Sequence, residues 1–242
     1  MPSLQAYDAK LDYSYAPGVF PSMECLLNQP EAVRRLLVHS QSQDSEGVQK
    51  LIALCQEKHI RVEVADKALS RISGKENCFA AAVFEKRQGL LEADAPHVVL
   101  HNPSDFGNLG TILRTCLGFG VKSLAIIRPA ADVFDPRVIR ASMGAMFSLK
   151  VKVYDSFEEY RQEFPAHALY PFMLDGSCPL EEAAAAIQKP FALVFGNEGR
   201  GLPAEFAQMG RAVRIPHSNQ IDSLNLSIAA AIGVYTFMNR GK

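Results

Sequence analysis

The chain has 242 residues, 48% of them apolar and 21% charged, with a formal net charge of −1. That is the profile of an ordinary globular protein with room for one large domain or two small ones. It excludes a broadly basic nucleic-acid binder, so any phosphate-gripping surface must be local.

No window approaches the roughly 18 consecutive apolar residues of a membrane helix. The opening stretch MPSLQAYDAKLDYSYAPGVF has neither a basic cluster followed by an apolar run nor the composition of a transit peptide. A cytoplasmic location is therefore expected. The five cysteines (Cys25, Cys55, Cys78, Cys116 and Cys178) are scattered and form no CxxC pair, and the histidines lack metal-ligand spacing. Reduced, mostly buried thiols and no metal are expected.

In chain order the first part reads strand (Ala32–Val38), helix (Ser45–Lys58), strand (Ile60–Ala65), helix (Lys67–Ile72) and strand (Asn77–Phe84). Val48, Leu51, Ile52, Leu54 and Cys55 share one face of the first of these helices, and Ser45 with Glu46 makes a natural start. The segment Gly89–Pro96 (GLLEADAP) reads as a boundary, which places one domain at residues 1–94 and a second at 95–242. In the second, apolar strands are predicted at His97–His101, Ser123–Arg128, Lys150–Tyr154, Ala168–Leu174, Phe191–Gly196 and Ala212–Pro216. Helices are predicted near Gly110–Gly118, Pro136–Met146, Phe157–Phe164, Pro179–Ile187, Pro203–Met209 and Ser223–Asn239. Strands that are apolar throughout, each followed by a helix, imply a doubly wound α/β domain with a mostly parallel sheet. In such sheets ligands sit beyond the carboxyl ends of the strands.

Three loops at such ends carry chemistry. The first runs from Asn102 to Thr115 (NPSDFGNLGTILRT). A helix beginning near Asn108 or Leu109 would be capped by Asn108, with Arg114 just over one turn on. An asparagine and a guanidinium together suit an electron-rich oxygen such as a phosphate or ribose hydroxyl; a capped helix with a solvated arginine is the plainer reading. The second is Phe195–Pro203 (FGNEGRGLP). Gly196, Gly199 and Gly201 let backbone approach a ligand closely, yet the spacing matches neither a dinucleotide fingerprint nor a phosphate loop. Glu198 between two glycines either serves a ligand site or bonds a neighbouring helix or Arg200. The third, from Ile215 (IPHSNQIDSLNLSIAAAIG), offers Asp222 or Ser223 as the cap of the closing helix and places Asn225 and Ser227 in its first turns.

In this order, NLGTILRT (Asn108–Thr115), LVFGNEGRGL (Leu193–Leu202) and IPHSNQIDSLNLSIAAAIGVY (Ile215–Tyr235) resemble the three motifs of the SpoU (TrmH-type) RNA methyltransferases. The ordered set is specific and spans most of Pro96–Asn239. Pro136–Phe147 (PRVIRASMGAMF) is similar to the segment after that family's second strand. More loosely, Tyr15–Ser40 resembles the opening of its small substrate-binding domain. The resemblance implies a catalytic domain with a deep trefoil knot, preceded by a small α/β ribosomal-protein-like domain. It implies a homodimer with the active site at the subunit junction, S-adenosylmethionine as cofactor and methylation of an RNA ribose 2′-hydroxyl. Cofactor contacts are implied at Gly196, Asn197, Gly201, Ile215, Leu224 and Asn225. Catalytic roles fall on Arg114, Asn108, Glu198, Ser223 and Asn225. Arg114 would stabilise the developing alkoxide, and Glu198 would bond backbone or Arg114 rather than act as base. Arg114, Arg128, Arg137 and Arg140 are candidate RNA contacts.

The chain departs from the family in two ways. Many relatives read D-P-x-N-x-G in the first motif, whereas Asn102-Pro-Ser-Asp-Phe-Gly-Asn is longer before its Asn108. In the first domain, acidic residues slightly outnumber basic ones. Ribosomal RNA is the expected substrate, with transfer RNA open. A non-catalytic knotted RNA-binding protein and a nucleotide-binding oxidoreductase are the competing readings; the missing dinucleotide fingerprint weighs against the latter.

Overall fold

A computed structural model describes residues 5–73 and 78–239. The elements are β1 (Tyr13–Pro17), α1 (Val19–Asn28), β2 (Val33–Val38), α2 (Glu46–Glu57), β3 (Val62–Val64), α3 (Asp66–Ser73) and β4 (Ala80–Glu85). There follow β5 (His97–His101), α4 (Phe106–Gly118), β6 (Ser123–Ile127), α5 (Pro136–Ala141), β7 (Lys150–Tyr154), α6 (Phe157–Glu163) and β8 (Ala168–Pro171). The chain closes with β9 (Cys178–Pro179), α7 (Leu180–Ala185), β10 (Phe191–Phe195), α8 (Phe206–Met209), β11 (Val213–Arg214) and α9 (Leu226–Asn239). None of the helices among the described residues is long and apolar enough to cross a membrane.

The chain divides into two compact units: Met1–Arg87 with Asp132–Ser148, and Gln88–Ala131 with Leu149–Lys242. In the first, β1 and β2 flank β4 antiparallel and β3 joins β2 in parallel, giving the order β1-β4-β2-β3. Tyr15, Leu37, Ala81 and Val83 of the sheet pack with Leu69 and Ile72 of α3. Neither β1 nor α1 is visible in the sequence pattern. The strand YSYAP is short and ends in proline, and α1 carries Pro21 in its first turn. Proline is tolerated there because the first-turn N–H groups lack partners anyway. The expected start of β4 at Asn77 lies outside the described residues.

The segment Asp132–Ser148 belongs with this first unit, which the sequence did not foretell. Ser14 Oγ donates to the Phe134 carbonyl at 2.5 Å, Gln29 Nε2 to the Phe147 carbonyl at 3.0 Å, and the Phe84 and Phe147 rings meet edge-on at 4.9 Å. The expected helix Pro136–Met146 stops at Ala141, because Met143 and Gly144 take positive φ of 54° and 82°. A Cβ on Gly144 would stand 2.7 Å from Glu24 Cβ, so only glycine fits this turn.

The second unit is an α/β fold on a five-stranded, wholly parallel sheet of order β7-β6-β5-β10-β8. It starts at Gln88 rather than residue 95, since the intervening segment lies along β6 and β7. Gly89 N–H donates to the Val151 carbonyl at 2.8 Å, and Val153 N–H to Gln88 Oε1 at 2.9 Å. On one face Val99, Ala125, Ile127, Ala192 and Val194 pack against Phe157, Tyr160, Phe164 and Phe206. The alternate residues Val98, Leu100, Leu124, Ile126 and Leu193 are equally buried on the other face, where α9 lies on β10 and α4 lies on α9. Winding reverses direction between β5 and β10, which is where such sheets bind ligands.

Under α6 sit two fully buried imidazoles. His97 bonds the Tyr160 hydroxyl at 3.0 Å and the Glu92 carbonyl at 2.8 Å, and it stacks on His167 at 4.1 Å. Burial holds His97 down to about 4 and also lowers His167. Between about pH 6.5 and 4 the unfolded chain therefore takes up protons that the folded one refuses, and stability falls as pH falls through that window. His97→Asn is expected to remove about 1.4 kcal/mol per pH unit from that slope, measured by urea unfolding at stepped pH; an unchanged slope would contradict it.

Candidate active site

The loop after β10 folds back on itself. Asn197 and Gly201 exchange backbone hydrogen bonds of 3.1 and 2.9 Å, and Asn197 Oδ1 accepts from the Gly199 and Arg200 amides at 3.0 and 3.1 Å. Gly201 adopts φ +66°, and a Cβ on Gly196 would fall 2.2 Å from the Gly201 carbonyl carbon. These glycines are thus needed for the loop to close.

This loop grips the one after β5. Glu198 accepts from Ser104 N–H at 3.0 Å, Ser104 Oγ at 2.8 Å and Asp105 N–H at 3.0 Å. Asn197 Nδ2 donates to the Asn102 carbonyl at 2.8 Å. Partial burial pushes the Glu198 carboxyl up, but the bonds from Ser104 and Asp105 outweigh it and hold it below the usual carboxylate range. A carboxylate so engaged is a clamp, not a base. Asn102 itself has φ +56° and donates its Nδ2 to the Arg128 carbonyl at 2.7 Å, which ties in the end of β6.

The helix starts differ from expectation. Asp105, not Asn108, caps α4, its Oδ1 accepting the Asn108 N–H at 2.7 Å. The helix therefore starts at Phe106, earlier than expected. Likewise α9 begins at Leu226, and its cap is Asn225 rather than Asp222 or Ser223. Asn225 Oδ1 accepts from the Ser227 and Ile228 amides at 2.8 and 3.4 Å, which satisfies two of the free N–H groups of the first turn. Its Nδ2 donates to Asn108 Oδ1 at 3.1 Å, joining the first and third loops.

Around these loops opens a cavity of about 410 Å³. Gly196, Asn197, Glu198, Gly201, Ile215, Ser223 and Leu224 all line it. Asn108 and Asn225 are joined to each other outside that lining, and Arg114 stands exposed on α4, also off the wall. Sequence reasoning missed Phe172, Met173, Leu174 and Asp175, which follow β8 and form the opposite wall. Their sole signal was position, at the carboxyl end of a parallel strand. Phe172 stacks on Phe195 at 4.3 Å, and Gly233 of α9 leaves room for that ring, whose Cζ would lie 2.6 Å from a Cβ there. Apolar walls from Phe172, Phe195, Leu224 and Ala229, polar groups from Asp175, Arg200 and His217, and a glycine-lined backbone edge fit a ligand with a planar base, hydroxyls and a zwitterionic tail.

Of the remaining arginines, Arg128 is ion-paired with Asp155, and Arg137 is held by Asp135 in a fork of 2.9 and 2.8 Å. Arg137 and Arg140 lie in the first compact unit and Arg128 in the second. Gly196→Ala is expected to destabilise the protein by about 3 kcal/mol through the clash with Gly201, measured by urea unfolding; parental stability would mean that the loop does not close as described.

A family model for the SpoU rRNA Methylase family matches residues 95–235. An uncharacterized tRNA/rRNA methyltransferase of Synechocystis is 31% identical over 139 residues, 57% of this chain and 51% of that one, so the chain spans about half the length of that relative. The 23S rRNA (guanosine-2′-O-)-methyltransferase RlmB of Acinetobacter baylyi is 27% identical over 255 residues, covering 94% of this chain and 96% of its own. The AdoMet-bound rRNA methyltransferase of Sinorhizobium meliloti superposes with a TM-score of 0.79 at 26% identity, covering 96% of this chain and 88% of that one. With that family model covering more than half its length, the chain belongs to the SpoU methylase family.

Proposed function

We propose that the protein transfers a methyl group from S-adenosylmethionine to a ribose 2′-hydroxyl of structured RNA, with ribosomal RNA favoured over transfer RNA. The carrying observation is that the loops after β8, β10 and β11 line a single cavity, while Glu198 ties the second of them to Ser104 and Asp105 and Asn225 ties the third to Asn108 of α4. Both the Acinetobacter relative and the Sinorhizobium structure, which match along nearly the whole chain, are named as rRNA methyltransferases.

When bound, the cofactor would supply a methyl group activated by its sulfonium, with the thioether S-adenosylhomocysteine as the leaving group. The protein's part is to hold both reactants and ease loss of the hydroxyl proton. Gly196, Asn197, Gly201, Ile215 and Leu224 bind the cofactor chiefly through backbone. Glu198 and Asn225 are positioning residues, since each spends its polar atoms holding one loop to another. Asn108, in the first turn of α4, is held by Asn225. Ser223 contributes a hydroxyl at the cavity wall. A guanidinium, with a pKa above about 12, is a poor base. Arg114 therefore acts by stabilising the developing alkoxide and the adjoining phosphate.

An exposed Arg114 off the cavity wall suits a site completed by a second copy. Phe119 and Tyr235, in ring contact at 5.4 Å, and Ile228 are exposed apolar residues of α4 and α9 or their ends, and they fit burial in a homodimer. We read the loops after β10 and β11 as the crossing segments of a deep trefoil knot. The first compact unit serves as the ribosomal-protein-like RNA-binding domain, and the protein acts in the cytoplasm. Arg128, Arg137 and Arg140 are the RNA contacts in this reading, reached by exchanging their present acidic partners, where they have them, for phosphate.

The test is methyl transfer from labelled S-adenosylmethionine to total RNA of cells lacking the protein, with the product mapped by mass spectrometry as a ribose methylation. Arg114→Lys is expected to lower turnover about 10²- to 10³-fold with cofactor affinity unchanged. Parental turnover would remove Arg114 from the chemistry.

A further inference from the structure

A second depression, of about 780 Å³, opens on the opposite side of the Asn197–Gly201 loop. Asn197, Arg200 and Gly201 line both cavities, so the two meet along that loop. The walls of the second come from the carboxyl ends of β5, β6 and β10: Asn102, Ser104, Phe106, Pro129, Ala130, Ala131 and Pro203 complete it. Its composition is distinctive. Two prolines, two alanines and the partly exposed Phe106 ring give flat apolar surface, while Asn102, Ser104 and Arg200 supply polar atoms. The wall is also rigid, because Asn102 is pinned by its bonds to the Arg128 carbonyl and from Asn197 Nδ2, and Ser104 by Glu198. Such volume and such a mixture of flat apolar faces with a few fixed polar groups are those of a small-molecule site.

We propose that this depression receives the base of the target nucleotide, swung out of its RNA stack, so that its ribose lies over the shared Asn197–Gly201 edge. This rests on the methyltransferase reading, which requires the acceptor hydroxyl to reach the cofactor cavity, and it adds where the acceptor's base is held. A base presents two flat apolar faces and a polar edge. Phe106 and the Pro129–Ala131 wall match the faces, and Asn102 Oδ1 and the Arg200 guanidinium match the edge and the adjoining phosphate. Ser104 and Phe106 of the first loop both stand in this wall. Base selection by this chain is therefore a property of residues 102–106 and 129–131 together with Arg200.

The experiment is an amide chemical-shift titration of the isotopically labelled full chain, loaded with S-adenosylhomocysteine, using each of the four nucleoside 5′-monophosphates as probe. Phe106→Ala removes the aromatic face and Ala130→Trp fills the depression; both are titrated alongside the parent and with S-adenosylmethionine by calorimetry. At least one monophosphate is expected to shift the amides of Asn102, Ser104, Asp105, Phe106, Ala130 and Ala131 saturably. Both variants should bind it about tenfold or more weakly while keeping parental cofactor affinity. Shifts confined to other residues, no shifts with any monophosphate, or equal binding by both variants overturn the proposal even though cofactor binds. Failure of the parent to bind S-adenosylmethionine instead overturns the methyltransferase reading. Loss of cofactor affinity in Phe106→Ala alone marks damage to the start of α4, and Ala130→Trp then decides.

Discussion

The bond network from Asn197 and Glu198 to the chain at Asn102–Asp105 is the constraint on which the site depends. Parallel strands leave their carboxyl ends free, and nothing in a sheet's own hydrogen bonding fixes where the loops beyond them go. Here a carboxylate takes two backbone N–H groups and a hydroxyl from the neighbouring loop. A side-chain amide takes that loop's carbonyl as well. Charge-assisted bonds of this kind are stronger than neutral ones, and Glu198 is kept ionised by the same donors it holds. The adjacent glycines make the approach possible: with Gly196 and Gly201 in place, two backbone segments come closer than any side chain would allow.

A second link, Asn225 to Asn108, does for the helices what Glu198 does for the loops. One amide caps α9 with its oxygen and reaches α4 with its nitrogen. The closing helix is therefore registered against the first-motif helix at their starts, where orphan N–H groups and ligand chemistry coincide. The residues that would be read as catalytic thus divide into two kinds. Glu198, Asn197 and Asn225 spend their polar atoms holding loops and helix starts together, whereas Arg114 is exposed and away from the cavity wall. Under the proposed mechanism, rate loss on replacing the first group would report a misplaced site, and loss on replacing Arg114 would report missing charge stabilisation.

Much of this was legible in the chain, for identifiable reasons. Apolar strands such as His97–His101 and Phe191–Phe195 could be placed because strands buried on both faces are apolar throughout. Gly196 and Gly201 stood out because glycine clusters after a strand mark close backbone approach. The helix starts were misjudged, since Asp105, Asn108, Ser223 and Asn225 are all competent caps, and only tertiary bonding selects Asp105 and Asn225. The return of residues 132–148 to the first unit was illegible, because its Pro136 helix has the period of any α/β crossover. Nor could Ser104 be foreseen as the partner of Glu198, for nothing in the spacing of residues 94 apart sets that contact.

The central claim is that three separated segments make one pocket for a sulfonium cofactor. Its most direct test is titration of the isotopically labelled protein with S-adenosylmethionine, followed by amide chemical shifts. The account predicts that amides of Gly196, Asn197, Gly201, Ile215 and Leu224, together with those of Met173–Asp175, shift on a single saturating isotherm. Absence of saturable binding, or shifts that spare the loops after β8, β10 and β11, would contradict it.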